Sequence, residues 1–301
     1  FMVNLKHEVQ KRGFTVAHIK TDSIKIPDAT PEIIQFVMDY GKKYGYSFEH
    51  EATYDRMCLV NNAVYIAKYD TVEQCQGKYG YVPGDIKKHG GEWTATGTQF
   101  QIPYVFKTLF SKEPIAFEDI CETKSVTSAL YLDINEGLPD VSEQEKEVEK
   151  LLKTYKDAAI CPPEVLEQLE HLKESITKGH NYVFIGKVGQ FCPMQPGYNG
   201  GLLLREVVDK KTGIKSYAAA TGAKGYRWLE SEMVQKLEKE DGIDRGYYNA
   251  LVDTAVNDIS QYGDFEWFVS NDPYVKTEGD IPPWDAAGQP WEDSSSPFDV
   301  R

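Results

Sequence analysis

The stretch HIKTDSIKI, residues 18–26, places one acidic residue between two short segments of alternating apolar and polar side chains. The residues FTVAHIK that lead into it alternate in the same way, which is typical of a strand with one buried face. Thr21, Asp22 and Ser23 interrupt the alternation, and Asp and Ser both favour turns. We therefore predict a β-hairpin with Asp22 at or near its tip.

The segments on either side of this hairpin predict an α+β fold. Residues 3–12 have helical spacing of apolar side chains, and Pro31 after Thr30 is typical of the start of a second helix. Strand-like runs follow, namely YSFEHEA (46–52), MCLV (57–60) and AVYIAKY (63–69). This order of elements indicates helices packed on one face of an antiparallel sheet.

The rest of the chain divides into segments that differ in composition and in the spacing of their apolar residues. Residues 71–100 are rich in Gly, Lys and aromatic residues and predict a long loop or flexible hairpin. Two helices are expected between 142 and 178, the first starting with a Ser142–Glu145 capping box. Gly-linked strands follow from 181, then helices near 228–238 and 244–262, and last a tail that is extended or docked. We thus predict three parts, 1–100, 101–180 and 181–301.

Composition narrows the class of protein. The 301 residues contain no apolar run near the roughly 20 residues of a membrane helix, so we expect no membrane partner. Five cysteines without a C-x-x-C pair predict reduced thiols and a cytoplasmic location. The formal charge of −14 weakly disfavours nucleic-acid binding, although a local basic groove is compatible with that sum.

Three segments in order resemble family B DNA polymerases of the phage type. VNLKHEVQKRGFTVAHIKTDSIKI (3–26) is similar to the helix and D-T-D-S hairpin of that family's palm. FEHEATYDRMCLVNNAVYIAKY (48–69) is similar to the following palm strands, and EWTATGTQFQIPYVFKTLF (92–110) to the passage into the helical thumb. The resemblance covers roughly 3–180 and implies a palm-like 1–100, a thumb-like helical 101–180 and an α+β extension over 181–301.

The resemblance implies templated addition of deoxynucleotides with Mg²⁺, with primer–template DNA and dNTP as partners and a phage or prophage protein in a bacterial cytoplasm. Asp22 matches the second Asp of the motif, the metal ligand, and Thr21 and Ser23 support it. Such a reaction uses two divalent ions about 3.5–4 Å apart. Tyr65 matches the tyrosine of the Lys-x-Tyr element near the primer terminus.

Basic residues interleaved with aromatic ones suit backbone contact and base stacking. The stretch GKYGYVPGDIKKHGG (77–91) has this composition, and a solvated loop is an equal alternative there. The resemblance to the polymerases implies that the 77–112 region holds the duplex backbone. The candidates for these contacts are Lys78, Lys87, Lys88 and Lys107.

The sequence also departs from the family pattern. Lys20 stands where the motif has its first Asp, and Ala63 where the Lys-x-Tyr element has its lysine. The upstream D-x-x-S-L-Y-P and K-x-x-x-N-S-x-Y-G motifs do not occur in these residues. We therefore expect a C-terminal part of a polymerase that is inactive without its N-terminal part. The alternatives are a non-catalytic DNA-binding remnant and an unrelated α+β protein with a chance T-D-S turn.

Overall fold

The computed structural model describes residues 1–135, 137–155, 161–198, 200–208, 210, 213, 215–220 and 225–272. The chain forms two compact units. Unit 1 comprises Phe1–Ile115 and the residues from Ala250 onward, and unit 2 comprises Ala116–Asn249. The expected tail beyond 272 lies outside the described residues. Within the described part of the chain, no helix has both the length and the apolar character needed to cross a membrane.

Unit 1 begins with helices and short strands that follow the predicted order. Its first elements are α1 (Met2–Gln10), β1 (His18–Ile19), β2 (Ile24–Lys25), α2 (Pro31–Lys43), β3 (Tyr54–Asn61), β4 (Val64–Tyr69), α3 (Val72–Tyr79), β5 (Trp93–Ala95), α4 (Thr98–Gln101) and α5 (Pro103–Phe106). The helices predicted at 3–12 and from Pro31 are confirmed. The hairpin of β1 and β2 is confirmed as well.

The first two helices pack on each other through their apolar stripes. Leu5 and Val9 of α1 share a buried cluster with Ile33 and Val37 of α2. The side chain of Thr30 accepts a hydrogen bond from the Ile33 N–H, which satisfies one of the free amides at the start of α2.

The larger core of unit 1 joins a sheet to helices from both parts of its chain. Within the described residues, β3, β4 and β5 form an antiparallel sheet in that order. Its apolar face packs against the later helices α9 (Arg245–Ser260) and α10 (Phe265–Val269). The buried members are Cys58, Ile66, Phe100, Val105, Leu109, Phe110, Ala255, Ile259 and Phe268.

A buried arginine ties the segment after α10 to the sheet. The Arg56 side chain is 5% exposed and lies on β3. Its guanidinium donates to the backbone carbonyls of Trp267, Phe268, Ser270 and Asp272 at 2.7–3.3 Å. One cation therefore supplies donors to carbonyls at the end of α10 and in the residues that follow it.

Two predictions in unit 1 are wrong. Residues 46–52 form no strand, and β3 begins only at Tyr54. Residues 71–100 are not one long loop, since they contain α3, a 3₁₀ turn over Ile86–Lys88 and β5. A capping box between Thr71 and Gln74 starts α3, and Gly80 ends it with φ +75°.

Unit 2 is built on an antiparallel sheet. Within the described residues five strands pair in the order β10-β7-β6-β8-β9, and β10 also pairs with β8. The elements of this unit are β6 (Glu122–Asp133), α6 (Ser142–Thr154), α7 (Pro163–Thr177), β7 (Tyr182–Met194), β8 (Gly201–Val208), β9 (Lys215–Ala219), β10 (Arg227–Glu230) and α8 (Ser231–Lys236). Helix α9 begins in unit 2 and continues into unit 1. The α+β class is thus confirmed.

The compact units differ from the three predicted parts. The segment 101–180 carries the predicted helix pair α6 and α7, but it also contains the long strand β6. Strand β6 pairs with β7 from Glu122–Phe191 to Asp133–Tyr182, so one sheet spans the expected boundary at 180. The helix predicted near 228–238 starts too early in the chain. Trp228 is fully buried on strand β10, and the helix α8 covers only Ser231–Lys236.

A histidine between two carboxylates joins α6 to the sheet of unit 2. His180 Nδ1 lies 2.6 Å from Oδ2 of the buried Asp133, and Nε2 lies 3.1 Å from Oε1 of Glu145. Ser142 donates its hydroxyl to Asp140 and lies inside α6, and the Glu145 carboxylate contacts His180. The predicted capping box of Ser142 and Glu145 is therefore wrong.

Candidate functional site

The hairpin of β1 and β2 presents Asp22 to solvent. The strands pair His18 with Lys25 and Ile19 with Ile24. The Lys20 N–H donates to the Ser23 carbonyl at 2.8 Å, which closes a tight turn. Thr21 and Asp22 are exposed at its tip, and Ser23 is half-buried. The carboxylate is thus held on a short, closed turn rather than on a long loop.

His18 attaches this hairpin to the turn between β3 and β4. The side chain is buried, and its Nε2–H donates to the Asn62 carbonyl at 2.9 Å. Its Nδ1 is buried without a hydrogen-bond partner among the described residues. Burial lowers the pKa of His18, and the positive charges of Lys25 and Lys20 lower it further. The ring therefore acts as a neutral donor that fixes the hairpin against the sheet.

Lys25 brings the hairpin next to Tyr65. Its ammonium lies 5.2 Å from the centroid of the Tyr65 ring, within cation–π range. Burial lowers the pKa of Lys25 and the charge of Lys20 lowers it further, whereas Glu51 and Asp22 act in the opposite direction. The structure thus places the hairpin that carries Asp22 next to Tyr65, through the contact of Lys25 with the Tyr65 ring.

The Tyr65 ring is itself half-buried on β4. Burial raises the pKa of its hydroxyl, so the phenol is neutral at physiological pH. Its backbone is paired with Thr96, which accepts the Tyr65 N–H on Oγ1 at 3.1 Å and donates its own N–H to the Tyr65 carbonyl at 2.8 Å. The ring position is therefore set by both strand pairing and this side-chain bond.

The four predicted DNA-contacting lysines have different surroundings. Lys78 on α3 reaches Asp70 Oδ2 at 3.2 Å, and that carboxylate is buried. Lys88 lies 3.8 Å from Glu51, and Lys107 lies 3.9 Å from Glu113. Lys87 is exposed. Lys88 thus lies beside an exposed carboxylate, and Lys78 compensates a buried charge in unit 1.

A buried group beneath α3 explains why this basic segment is ordered. His89 Nδ1 lies 3.1 Å from the Asp70 carbonyl and 3.4 Å from Cys75 Sγ. Thr53 Oγ1 lies 3.3 Å from the same sulfur. These contacts hold the ends of the 71–89 segment together.

The described residues do not make a complete site for Mg²⁺. Among them, no group of three or more His, Cys, Asp or Glu side chains is arranged to hold a metal ion. Asp22 supplies one hard carboxylate ligand on an exposed turn. An ion bound here would need further oxygen ligands, such as waters, substrate phosphates or a second carboxylate.

The predictions made from the sequence include no role for His18, Lys25 or Glu51. A signal for Lys25 exists in the sequence, because IKI continues the alternation after the turn and sets the lysine opposite His18. No local signal identifies Glu51 or the Asn62 carbonyl, since both come from chain segments beyond α2.

Comparison of the chain with protein-family models, curated proteins and solved structures finds no match.

Proposed function

We propose that this chain is the C-terminal palm and thumb portion of a phage-type family B DNA polymerase. In this role it contributes one metal-binding carboxylate and primer–template contacts to templated nucleotidyl transfer. The observation that carries the proposal is the joining of the T-D-S hairpin to the β3–β4 strands, through His18 to Asn62 and through Lys25 to Tyr65. The motif and the tyrosine that resemble the family's palm are thereby neighbours in space.

The form of the hairpin supports the role of Asp22. A metal ligand must be held with little freedom, and the Lys20–Ser23 hydrogen bond limits the turn that carries Asp22. The turn is also exposed, as a carboxylate shared with a second protein segment and a nucleotide has to be. Thr21 and Ser23 flank it, and Lys20 in place of the family's first Asp is suited to a phosphate rather than to a cation.

Mg²⁺ prefers oxygen ligands from one or two carboxylates together with substrate phosphates. In this proposal Asp22 is one ligand, and the N-terminal part of the polymerase supplies the other carboxylate and the groups that hold dNTP. The chain alone is then inactive, since the upstream D-x-x-S-L-Y-P and K-x-x-x-N-S-x-Y-G motifs do not occur in its sequence.

The primer side of the proposed site is formed by Tyr65 with Lys25 above it. A neutral phenol beneath a cation can pack against a sugar while the ammonium faces a phosphate. Lys88 and the exposed Lys87 extend the positive charge along the same unit, and Lys78 and Lys107 are further candidates for backbone contact.

A reconstitution assay tests the proposal. The chain is mixed with an N-terminal polymerase part that bears the two missing motifs, and extension of a labelled primer is measured with Mg²⁺. We expect Asp22→Asn to lower the rate at least ~100-fold, because a lost metal ligand removes several kcal/mol of transition-state stabilisation. Asp28→Asn is the matched control, since Asp28 is also an exposed acid and its φ of +51° suits Asn.

The outcomes separate the proposal from its alternatives. Extension that is equally fast with Asp22→Asn removes the proposed role of that residue. If the wild-type chain supports no extension yet binds primer–template DNA, a non-catalytic remnant of a polymerase is favoured.

DNA binding is measured over a salt series, because each phosphate contact adds about −0.9 to the slope of log K against log salt. Lys87→Gln is expected to reduce that slope by roughly one contact, and Lys146→Gln on α6 is expected to leave it unchanged. A chain that binds no DNA at low salt is an unrelated α+β protein.

A further inference from the structure

Two cysteines of unit 2 face each other across neighbouring strands. The pairs of β6 and β7 include Glu122–Phe191 and Thr123–Gln190, so Cys121 and Cys192 occupy the next opposed positions. Their sulfur atoms are 3.6 Å apart. Opposed residues of an antiparallel pair have Cα atoms about 4.5–5.5 Å apart, which lies within the range of about 4.4–6.8 Å that a disulfide spans. A small shift of both side chains would bring the sulfurs within bonding distance.

The pair is accessible from one side. Cys192 is buried, but Cys121 is partly exposed and lines a cavity of about 390 Å³. Polar side chains surround the opening, among them Glu118, Gln190 and Ser231. A cavity of this size admits a small organic molecule, so a reagent can reach the Cys121 sulfur without unfolding the sheet.

We propose that Cys121 and Cys192 form a reversible redox pair that is oxidised to a disulfide by small-molecule disulfides. The Cys121 thiol loses its proton to water, and the resulting thiolate attacks one sulfur of the reagent and expels the other half as a thiolate. The Cys192 thiol then loses its proton and attacks the Cys121 sulfur, which expels the second half. The two protein thiols lose two electrons and two protons, and the reagent is reduced to two thiols.

The surroundings make this exchange slow at neutral pH. Burial raises the pKa of Cys121, and burial also raises the pKa of Cys192. The negative charges of Glu118, Asp119 and Glu240 disfavour the Cys121 thiolate. Glu240 also disfavours the Cys192 thiolate, whereas Arg245 favours it. Since only the thiolate attacks, the rate keeps rising with pH beyond the ordinary range of thiol titration.

Oxidation would also stabilise unit 2. The two cysteines are 71 positions apart in the chain, so the bond closes a long loop. Closing a loop of this length restricts the unfolded chain, and we expect the Tm of the oxidised protein to rise by roughly 5–15 °C. Reduction with dithiothreitol should reverse the shift.

The test uses the full chain incubated with glutathione disulfide at pH 8, followed by mass spectrometry of the intact protein and of its non-reduced peptides. We expect the mass to fall by about 2 Da and a peptide pair linked through Cys121 and Cys192. Cys192→Ala should instead stop at a stable mixed disulfide on Cys121, and Cys121→Ser should form neither product at this site. Cys161→Ser, which alters a partly exposed thiol elsewhere, should behave as wild type.

Two results would overturn the proposal. One is a stable glutathione adduct on Cys121 of the wild-type chain, because a resolving thiol at 3.6 Å must displace it. The other is the absence of any modification of Cys121 while Cys161 reacts, since the cavity would then not admit the reagent. Circular dichroism of each variant checks that it is folded before the reaction.

Discussion

Replacing Arg56 by Met tests how the segment after α10 is held. The guanidinium makes four hydrogen bonds to backbone carbonyls between Trp267 and Asp272, and a fifth to Asp55 Oδ2 at 2.8 Å. It also lies 4.6 Å from the Trp267 ring centroid. Met keeps most of the apolar stem but supplies no donor, so the carbonyls of Phe268, Ser270 and Asp272 lose the guanidinium. The Trp267 carbonyl keeps the N–H and the hydroxyl of Ser270.

The expected cost is about 3–5 kcal/mol in the free energy of unfolding unit 1. A single hydrogen bond to a charged group contributes about 1.5–3 kcal/mol, but five such values do not add, since the outer carbonyls can regain water. Breaking a buried charged network of this kind costs about 3–5 kcal/mol. That corresponds to roughly 10²–10⁴-fold faster hydrogen exchange of the amides over 267–272 if the segment opens locally.

The assay is urea unfolding combined with hydrogen exchange read by mass spectrometry. Arg56→Lys keeps the charge but not the planar fork, so we expect about half the loss. Lys68→Met is the matched control, because Lys68 is the cross-strand partner of Arg56 and contacts Asn271 from an exposed position. It should cost about 0.5 kcal/mol. If Arg56→Met is no worse than this control, the guanidinium does not hold the segment.

Three further predictions concern stability. Burial holds the pKa of His18 below its ordinary value of 6.5, so the unfolded chain binds the proton more readily than the folded chain. The free energy of unfolding of the wild type should therefore fall as the pH drops below about 6.5, and that of His18→Gln should fall less. Urea unfolding at each pH measures this difference. His180→Ala removes the ring nitrogen from Oδ2 of the buried Asp133, whose Oδ1 keeps the Asn181 N–H, and should cost about 1–3 kcal/mol in thermal unfolding. Glu145→Gln at the half-exposed end should cost less than about 1 kcal/mol. Thr71→Ala removes the capping box of α3 and should cost about 1 kcal/mol by the same method, and no loss would mean that the cap is replaced by water.

The parts of unit 1 that could be predicted are those specified by neighbouring residues. Thr30 and Pro31 predict the start of α2, and the T-D-S turn between two alternating segments predicts the hairpin. The 71–100 segment also carries a local signal, the T-x-x-Q box at Thr71, but its Gly and Lys content led to the prediction of a loop. In this segment the capping motif predicts the observed structure and the overall composition does not.

The features that could not be predicted depend on residues far apart in the chain. Residues 46–52 alternate like a strand but have no pairing partner, so they form none. Trp228 has a helical pattern after it, yet it pairs with Pro193 and is buried on a strand. The candidate site has the same limit. The position of Asp22 follows from its own turn, whereas the links to Asn62 and Tyr65 require the folded sheet.

The discontinuous make-up of unit 1 has a consequence for biosynthesis. Its core includes Phe100 and Phe110 from the first segment and Ile259 and Phe268 from the second, with all of unit 2 encoded between them. A ribosome adding roughly 5–20 residues per second needs on the order of ten seconds to cross that interval. During this time the aromatic face of the sheet has been made but its covering helices have not. Unit 2 can complete its own sheet first, so the nascent chain should expose an apolar surface that chaperones recognise until α9 and α10 emerge.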